Sequence, residues 1–197
     1  MLGKIASMYI TLAPAIFAGI LNMAWCKAPI ARGIQVPIDG GRTLWDQKRI
    51  FGDNKTWKGV VGMLLFGSVS AVLWGLLCGA LPALETRNFF YVNHENTVVY
   101  NLLTGAAAGL LYALFELPNS FLKRRLDIRP GKTRMGAGKL FFIILDQADS
   151  VFGCVLVVCA VYPMSVGFYL LYVLIGAVTH LLMNMLLYAC HLRKNMF

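Results

Sequence analysis

The chain has 197 residues, of which 58% are hydrophobic and only 14% charged, with a mean hydropathy of +0.66. A soluble globular domain carries about a quarter charged residues, so this composition excludes one and indicates an integral membrane protein. Eighteen Lys and Arg against nine Asp and Glu leave a net charge of +9, which in a membrane chain points to phosphate-bearing partners or orientation signals before nucleic acid.

The first expected element is a helix over residues 5–26. A single Lys4 precedes its apolar run and no convincing cleavage site follows, so it reads as a retained membrane helix, with a kink available at Pro14. Uncharged stretches from Gly59 to Leu84, Asn96 to Phe115 and Ser150 to Leu192, the last extended upstream to Leu140, predict further spans over 59–82, 97–116, 140–161 and 165–190. At 1.5 Å rise per residue, about 20 residues cross about 30 Å of hydrocarbon. The stretch from Ser150 to Leu192 is twice that length, and Pro163 divides it at a turn. The expected fold is therefore all-α, a single membrane-embedded domain over 1–197 with five transmembrane helices.

The basic residues select an orientation. Lys27 to Lys58 holds seven Lys and Arg, Pro118 to Lys139 another seven, and the tail adds Arg193 and Lys194; the opposite side has Lys4 and Arg87 alone. The positive-inside rule then places both long loops and the C-terminus in the cytoplasm and the N-terminus outside. The five cysteines (Cys26, Cys78, Cys154, Cys159, Cys190) lie in or beside apolar stretches without a CxxC pair, and read as small buried hydrophobes. Gly75-x-x-x-Gly79 and Gly105-x-x-x-Gly109 supply small faces for close helix packing within the bundle. His180 and Asn184, one helical turn apart, read as an interhelical hydrogen-bonding pair.

Function is expected in the two basic loops, which are longer than a helix connection needs. The first contains Pro37-Ile38-Asp39-Gly40-Gly41 and Phe51-Gly52-Asp53-Asn54-Lys55-Thr56-Trp57-Lys58-Gly59. Glycines admit a ligand to the backbone, amide and hydroxyl groups donate, and lysines neutralise phosphate oxygens; a lipid headgroup and a nucleotide suit it equally. The second contains Ser120-Phe121-Leu122-Lys123-Arg124-Arg125, where three cations beside a membrane also suit an anionic-lipid contact.

Span four carries Asp146-Gln147-Ala148-Asp149. Three residues apart on a helix, the two carboxylates share a face roughly 10 to 15 Å into the span. Each costs about 2.5 to 3.5 kcal/mol or more at mid-membrane unless it meets a polar cavity or a cation, and they repel one another. A divalent metal relieves both, with proton-relay or structural carboxylates as the alternatives. The loops are net +4 and +6, enough to bring a nucleoside triphosphate and a lipid phosphate together. A phosphate monoester is already an anionic nucleophile, so the absence of a Ser-His-Asp or Cys-His constellation does not exclude catalysis.

These four stretches, in this order, resemble the CDP-archaeol synthase family, integral membrane cytidylyltransferases related to the CDP-diacylglycerol synthases. The wider signature's Lys-Asp pair is replaced here by Arg129-Pro130 and its His-Gly-Gly run is missing, which makes the archaeol branch the closer match. The resemblance implies transfer of CMP from CTP to a membrane lipid phosphate, an archaeol phosphate-type ether lipid or phosphatidic acid, with release of pyrophosphate and a requirement for Mg²⁺. It implies metal binding by Asp146 and Asp149, and nucleotide or phosphate binding by Asp53, Asn54, Lys55, Thr56, Ser120, Lys123, Arg124 and Arg125. The catalytic set would be Lys55, Lys123, Arg124, Asp146 and Asp149, facing the cytoplasm from a multi-pass protein of the cell membrane. Partners are then CTP, the lipid phosphate and the bilayer, with no nucleic acid and the oligomeric state open. Two other readings compete: a small transporter using the Asp pair, and a CDP-alcohol phosphotransferase, whose spaced Asp motif the chain does not supply.

Overall fold

The computed structural model describes residues 2–130, 132, 136 and 138–190. Arg134, Arg193 and Lys194, which enter the charge-sidedness count, lie outside the described residues. Among the described residues six α-helices follow in chain order: α1 (Leu2–Lys27), α2 (Trp57–Ala80), α3 (Pro82–Glu85, a single turn), α4 (Val98–Arg125), α5 (Lys139–Val161) and α6 (Val166–Ala189). All but α3 are long and apolar enough to cross a membrane. The chain is a multi-pass, all-helical membrane protein, with no strand among the described residues beyond two isolated bridges, Pro37–Thr56 and Thr43–Arg49.

Hydroxyl caps set several of the helix starts. Thr56 accepts from the Gly59 amide, Thr97 from Tyr100 and Ser165 from Phe168, each satisfying an amide that the first turn leaves unpaired. The turn at Pro163 separates α5 from α6 as expected, and α1 runs through Pro14 without interruption.

The principal departure is α4, which the uncharged stretch ends at residue 116 and the structure extends to Arg125. Pro118 removes one amide and does not end the helix, which bilayer helices tolerate. Its actual end is a Schellman turn: Asp127 is left-handed (φ 58°), and Ile128 and Asp127 donate to the carbonyls of Lys123 and Arg124. Lys123, Arg124 and Arg125 therefore occupy the last helical turn, where cations complement the helix dipole, and not a loop.

The long helices neighbour one another in the order α1, α2, α4, α5, α6, an open ring with α5 the most enclosed. At the α2–α4 seam a side chain at Gly67, Gly105 or Gly109 would strike the facing helix backbone or the Ala71 side chain, so these positions admit only hydrogen. At the end holding residues 82–96, Phe89 inserts against α1, α5 and α6: it stacks on Tyr162 at 4.6 Å, and its amide donates to Thr11 Oγ1 at 3.0 Å. Around it lie Met8, Val155, Val158, Tyr172 and Val173, forming the main core. That plug closes one end of the ring. The opposite end carries the α1–α2 and α4–α5 connections.

Candidate functional site

A cavity of about 840 Å³ lies inside the ring. Its far wall is apolar and sits between α1 and α6, with Leu12, Ile16, Met23, Ile175 and Met183 among its residues. These helices touch near the plug, where Tyr172 Oη donates to the Met8 carbonyl at 2.8 Å and Thr179 meets Tyr9. The near wall, at the loop end, is polar and charged. It is lined by Asn54 and Lys55 from the first connection, by Glu116, Asn119, Ser120, Lys123 and Arg124 from α4, and by Asp146 and Asp149 from α5.

Continuity of α4 through Pro118 produces this wall. Glu116, Asn119, Ser120 and Lys123 fall at helical spacing i, i+3, i+4 and i+7, one stripe facing the acidic pair on α5. Asn119 Nδ2 donates at 2.7 Å to Asp146 Oδ1 and at 2.7 Å to Asp149 Oδ2. Lys123 grips both oxygens of Asp146, at 2.5 and 2.6 Å. Asp149, 8% exposed, also accepts from the Ser150 amide at 2.6 Å. Lys55 reaches in from the loop to pair with Glu116, the two side chains being 20% and 24% exposed. Burial acts against the charge on Lys55, but Glu116, with Asp149 and Asp146 behind it, outweighs burial and raises its pKa.

The balance leaves specific groups unanswered. On this wall Lys55, Lys123 and Arg124 face Glu116, Asp146 and Asp149, and Lys27 and Lys132 also line the cavity, so its lining carries no excess of negative charge. Arg124 is 8% exposed, and its buried Nε and Nη1 have no hydrogen-bond acceptor. Two buried guanidinium donors without acceptors are costly, which marks Arg124 as the cation on this wall whose hydrogen bonds the protein itself does not answer.

A loop framework holds Asn54 and Lys55 in place. The Asp39 carboxylate accepts from the amides of Gly41 and Phe51 at 3.0 Å each and from Arg49 at 2.6 Å. Burial opposes its ionisation, but Arg49 and the two amides prevail and hold it below the usual carboxylate range, while Arg49 is raised in turn. The loop is clasped to α4 by Arg125, which chelates Asp46 at 2.6 and 2.7 Å and donates to the carbonyls of Lys48 and Arg49, and by Lys48, which pairs with Asp127. Lys58 is fully buried, its amine donating to the Ala28 carbonyl at 2.7 Å over the ring of Trp25.

Of the residues singled out in the sequence, the structure brings Asn54, Lys55, Ser120, Lys123, Arg124, Asp146 and Asp149 to one cavity. It does not bring Asp53, Thr56 or Arg125 there. Asp53 is 72% exposed and pairs with Arg49, Thr56 caps α2, and Arg125 is committed to Asp46. Glu116 and Asn119 are not among the residues the sequence singles out; the signal is their helical spacing with Lys123, hidden because the expected span ends at residue 116. His180 and Asn184 both meet Gln147 on α5, through its carbonyl at 3.2 Å and its Oε1 at 2.7 Å. The five cysteines are free thiols.

A family model described as CarS-like, CDP-archaeol synthase, matches residues 7–197. Among curated relatives, CDP-archaeol synthase of Pyrococcus furiosus is 34% identical over 131 residues, 66% of each chain, so this alignment spans just under two thirds of that relative. The Thermococcus gammatolerans protein of the same name is 33% identical over 146 residues, covering 73% of this chain and 74% of that one. The Methanococcus aeolicus one is 30% identical over 166 residues, covering 81% and 82%. A solved structure described as an intramembrane enzyme for archaeal membrane lipid biosynthesis superposes with a TM-score of 0.60 at 25% identity, covering 90% of this chain and 92% of that one. The chain therefore belongs to the CarS-like, CDP-archaeol synthase family.

Proposed function

We propose that this protein is a CTP-dependent cytidylyltransferase that transfers CMP to an archaeol-type lipid phosphate, yielding a CDP-activated lipid and pyrophosphate. The observation that carries this reading is one continuous cavity whose charged wall, with unpaired Arg124 donors, passes into an apolar slot between α1 and α6. A nucleotide needs the first wall, and a phosphate on hydrocarbon chains needs both. The loop end faces the cytoplasm, as the positive-inside rule requires, and the lipid enters sideways between α1 and α6 from the inner leaflet.

A phosphate oxygen of the lipid attacks the α-phosphorus of CTP. The bond from that phosphorus to the oxygen bridging to the β-phosphate breaks, and pyrophosphate leaves with the electron pair. Arg124 and Lys55 hold the phosphates and stabilise the charge spreading onto the leaving group. Lys123 keeps Asp146 oriented, and the slot aligns the nucleophile.

The donor set fits Mg²⁺. No group of three or more His, Cys, Asp or Glu suited to a metal occurs among the described residues, but Mg²⁺ is commonly held by one or two carboxylates plus substrate phosphates. Asp146 and Asp149 would hold it, and it would supply charge neutralisation of the triphosphate. Asp149→Asn should abolish incorporation of labelled CTP into chloroform-soluble product while leaving membrane insertion intact. Full activity in that variant would refute the assignment.

A further inference from the structure

Asn119 is placed as neither a ligand-binding cation nor an ordinary packing residue. It is 6% exposed, lies on the cavity wall, and is linked to both acidic side chains of α5. Its amide nitrogen has two hydrogens, and each is committed to a different carboxylate. The two accepting oxygens can therefore be no farther apart than the sum of the two bonds. A lysine at this position would neutralise one of the charges. A neutral amide fixes the spacing of the carboxylates without adding a second cation to the Lys123 already paired with Asp146.

The other end of the same side chain gives an independent observation. Asn119 Oδ1 is buried and has no hydrogen-bond partner, although a buried unsatisfied acceptor costs ~1–3 kcal/mol. Reversing the amide would place oxygen against two carboxylates, so the orientation is dictated by its partners. An acceptor left unsatisfied at such a cost shows that the two carboxylates, and not the oxygen's own partner, fix this side chain.

We propose that Asn119 is a positioning residue: its nitrogen sets the separation of Asp146 and Asp149 for a divalent cation. This rests on reading the cavity as a metal-dependent nucleotidyl-transfer site. Asn119→Leu keeps the approximate size and removes the shared donors. Asn119→Asp keeps shape and acceptor but replaces the shared donors with a third negative charge.

The test is an Mn²⁺ titration of the purified full chain, followed by electron paramagnetic resonance without nucleotide and with CTP added, alongside kcat and KM for CTP and thermal unfolding of each variant. Asn119→Leu should lose 10- to 100-fold in Mn²⁺ affinity, the range found when a group orienting a metal ligand is removed. Asn119→Asp should bind Mn²⁺ at least as tightly as the wild type and yet turn over at least tenfold more slowly. A purely structural role would lower the melting temperature of both variants without separating metal affinity from turnover. Wild-type Mn²⁺ affinity in Asn119→Leu, or wild-type kcat in Asn119→Asp, overturns the proposal for Asn119 alone. A wild-type protein that binds no Mn²⁺ either without nucleotide or with CTP added overturns the metal reading beneath it and the proposal with it.

Discussion

Lys55 has two roles in this account, and they can be pulled apart. It ties the first loop to α4 through Glu116, and it presents a cation to the phosphates. Breaking a buried ion pair by removing one partner costs about 3–5 kcal/mol, because the survivor is left uncompensated. With about a fifth of each side chain exposed, water screens the survivor, and about 2–3 kcal/mol is the appropriate expectation. At roughly 2–4 °C per kcal/mol for a chain of this size, Glu116→Gln should lower the melting temperature in detergent by about 5–10 °C. Lys55→Met leaves Glu116 stranded beside Asp149 and should do the same. The double variant Lys55→Met, Glu116→Leu has no stranded charge, so it should recover most of the lost stability, as apolar replacements of buried pairs do. Its CTP incorporation should stay at least tenfold below wild type, since the phosphate-binding cation is gone. Melting curves and radiolabelled CTP assays on the four proteins measure both effects. A double variant with wild-type turnover would refute the phosphate role, and single variants that melt with the wild type would refute the structural one.

Two further outcomes follow from the geometry. Gly19 lines the cavity, and the only contact a side chain there would meet at once is Tyr112 Oη at 3.8 Å, so Gly19→Phe should fold, fill the slot and depress lipid turnover while nucleotide binding, read by calorimetry, is unchanged. Asp39 has a folded pKa below its unfolded value, so its stabilisation of the loop is complete above about pH 4 and is lost as pH falls through the folded pKa. Limited proteolysis across residues 40–53 should accelerate only below that pH, and Asp39→Asn should remove the acid dependence by making the loop susceptible at neutral pH.

Four of the spans were legible because nothing charged interrupts them for about 20 residues, the one over 140–161 because the uncharged run from Ser150 is too long for one helix, and the acidic pair because carboxylates among Phe142, Ile143, Ile144 and Leu145 are too costly to be incidental. The extent of α4 was not. Hydropathy ends at Glu116 and proline ordinarily ends a helix, whereas here the Schellman turn nine residues later is the true stop. That error concealed Glu116 and Asn119, which become visible only when residues 116–125 are wound as helix. Nor could local sequence separate Arg124, which lines the cavity with two donors unanswered, from Arg125, one residue on and locked to Asp46. Consecutive basic residues differ by about 100° around a helix, so a run of them divides its labour according to a register the pattern of charges alone does not reveal. Asp53 and Thr56 show the same for the first loop, where one flanks and the other caps the segment that delivers Lys55.

The central claim is that a cation held by Asp146 and Asp149 meets CTP at the charged wall of this cavity. Anomalous diffraction from crystals of the full chain grown with Mn²⁺ and CTP tests it directly. The account predicts a manganese peak within coordination distance of both carboxylates, with the triphosphate running from it toward Arg124 and Lys55. A peak away from α5, or a triphosphate lying outside the ring of helices, would contradict it.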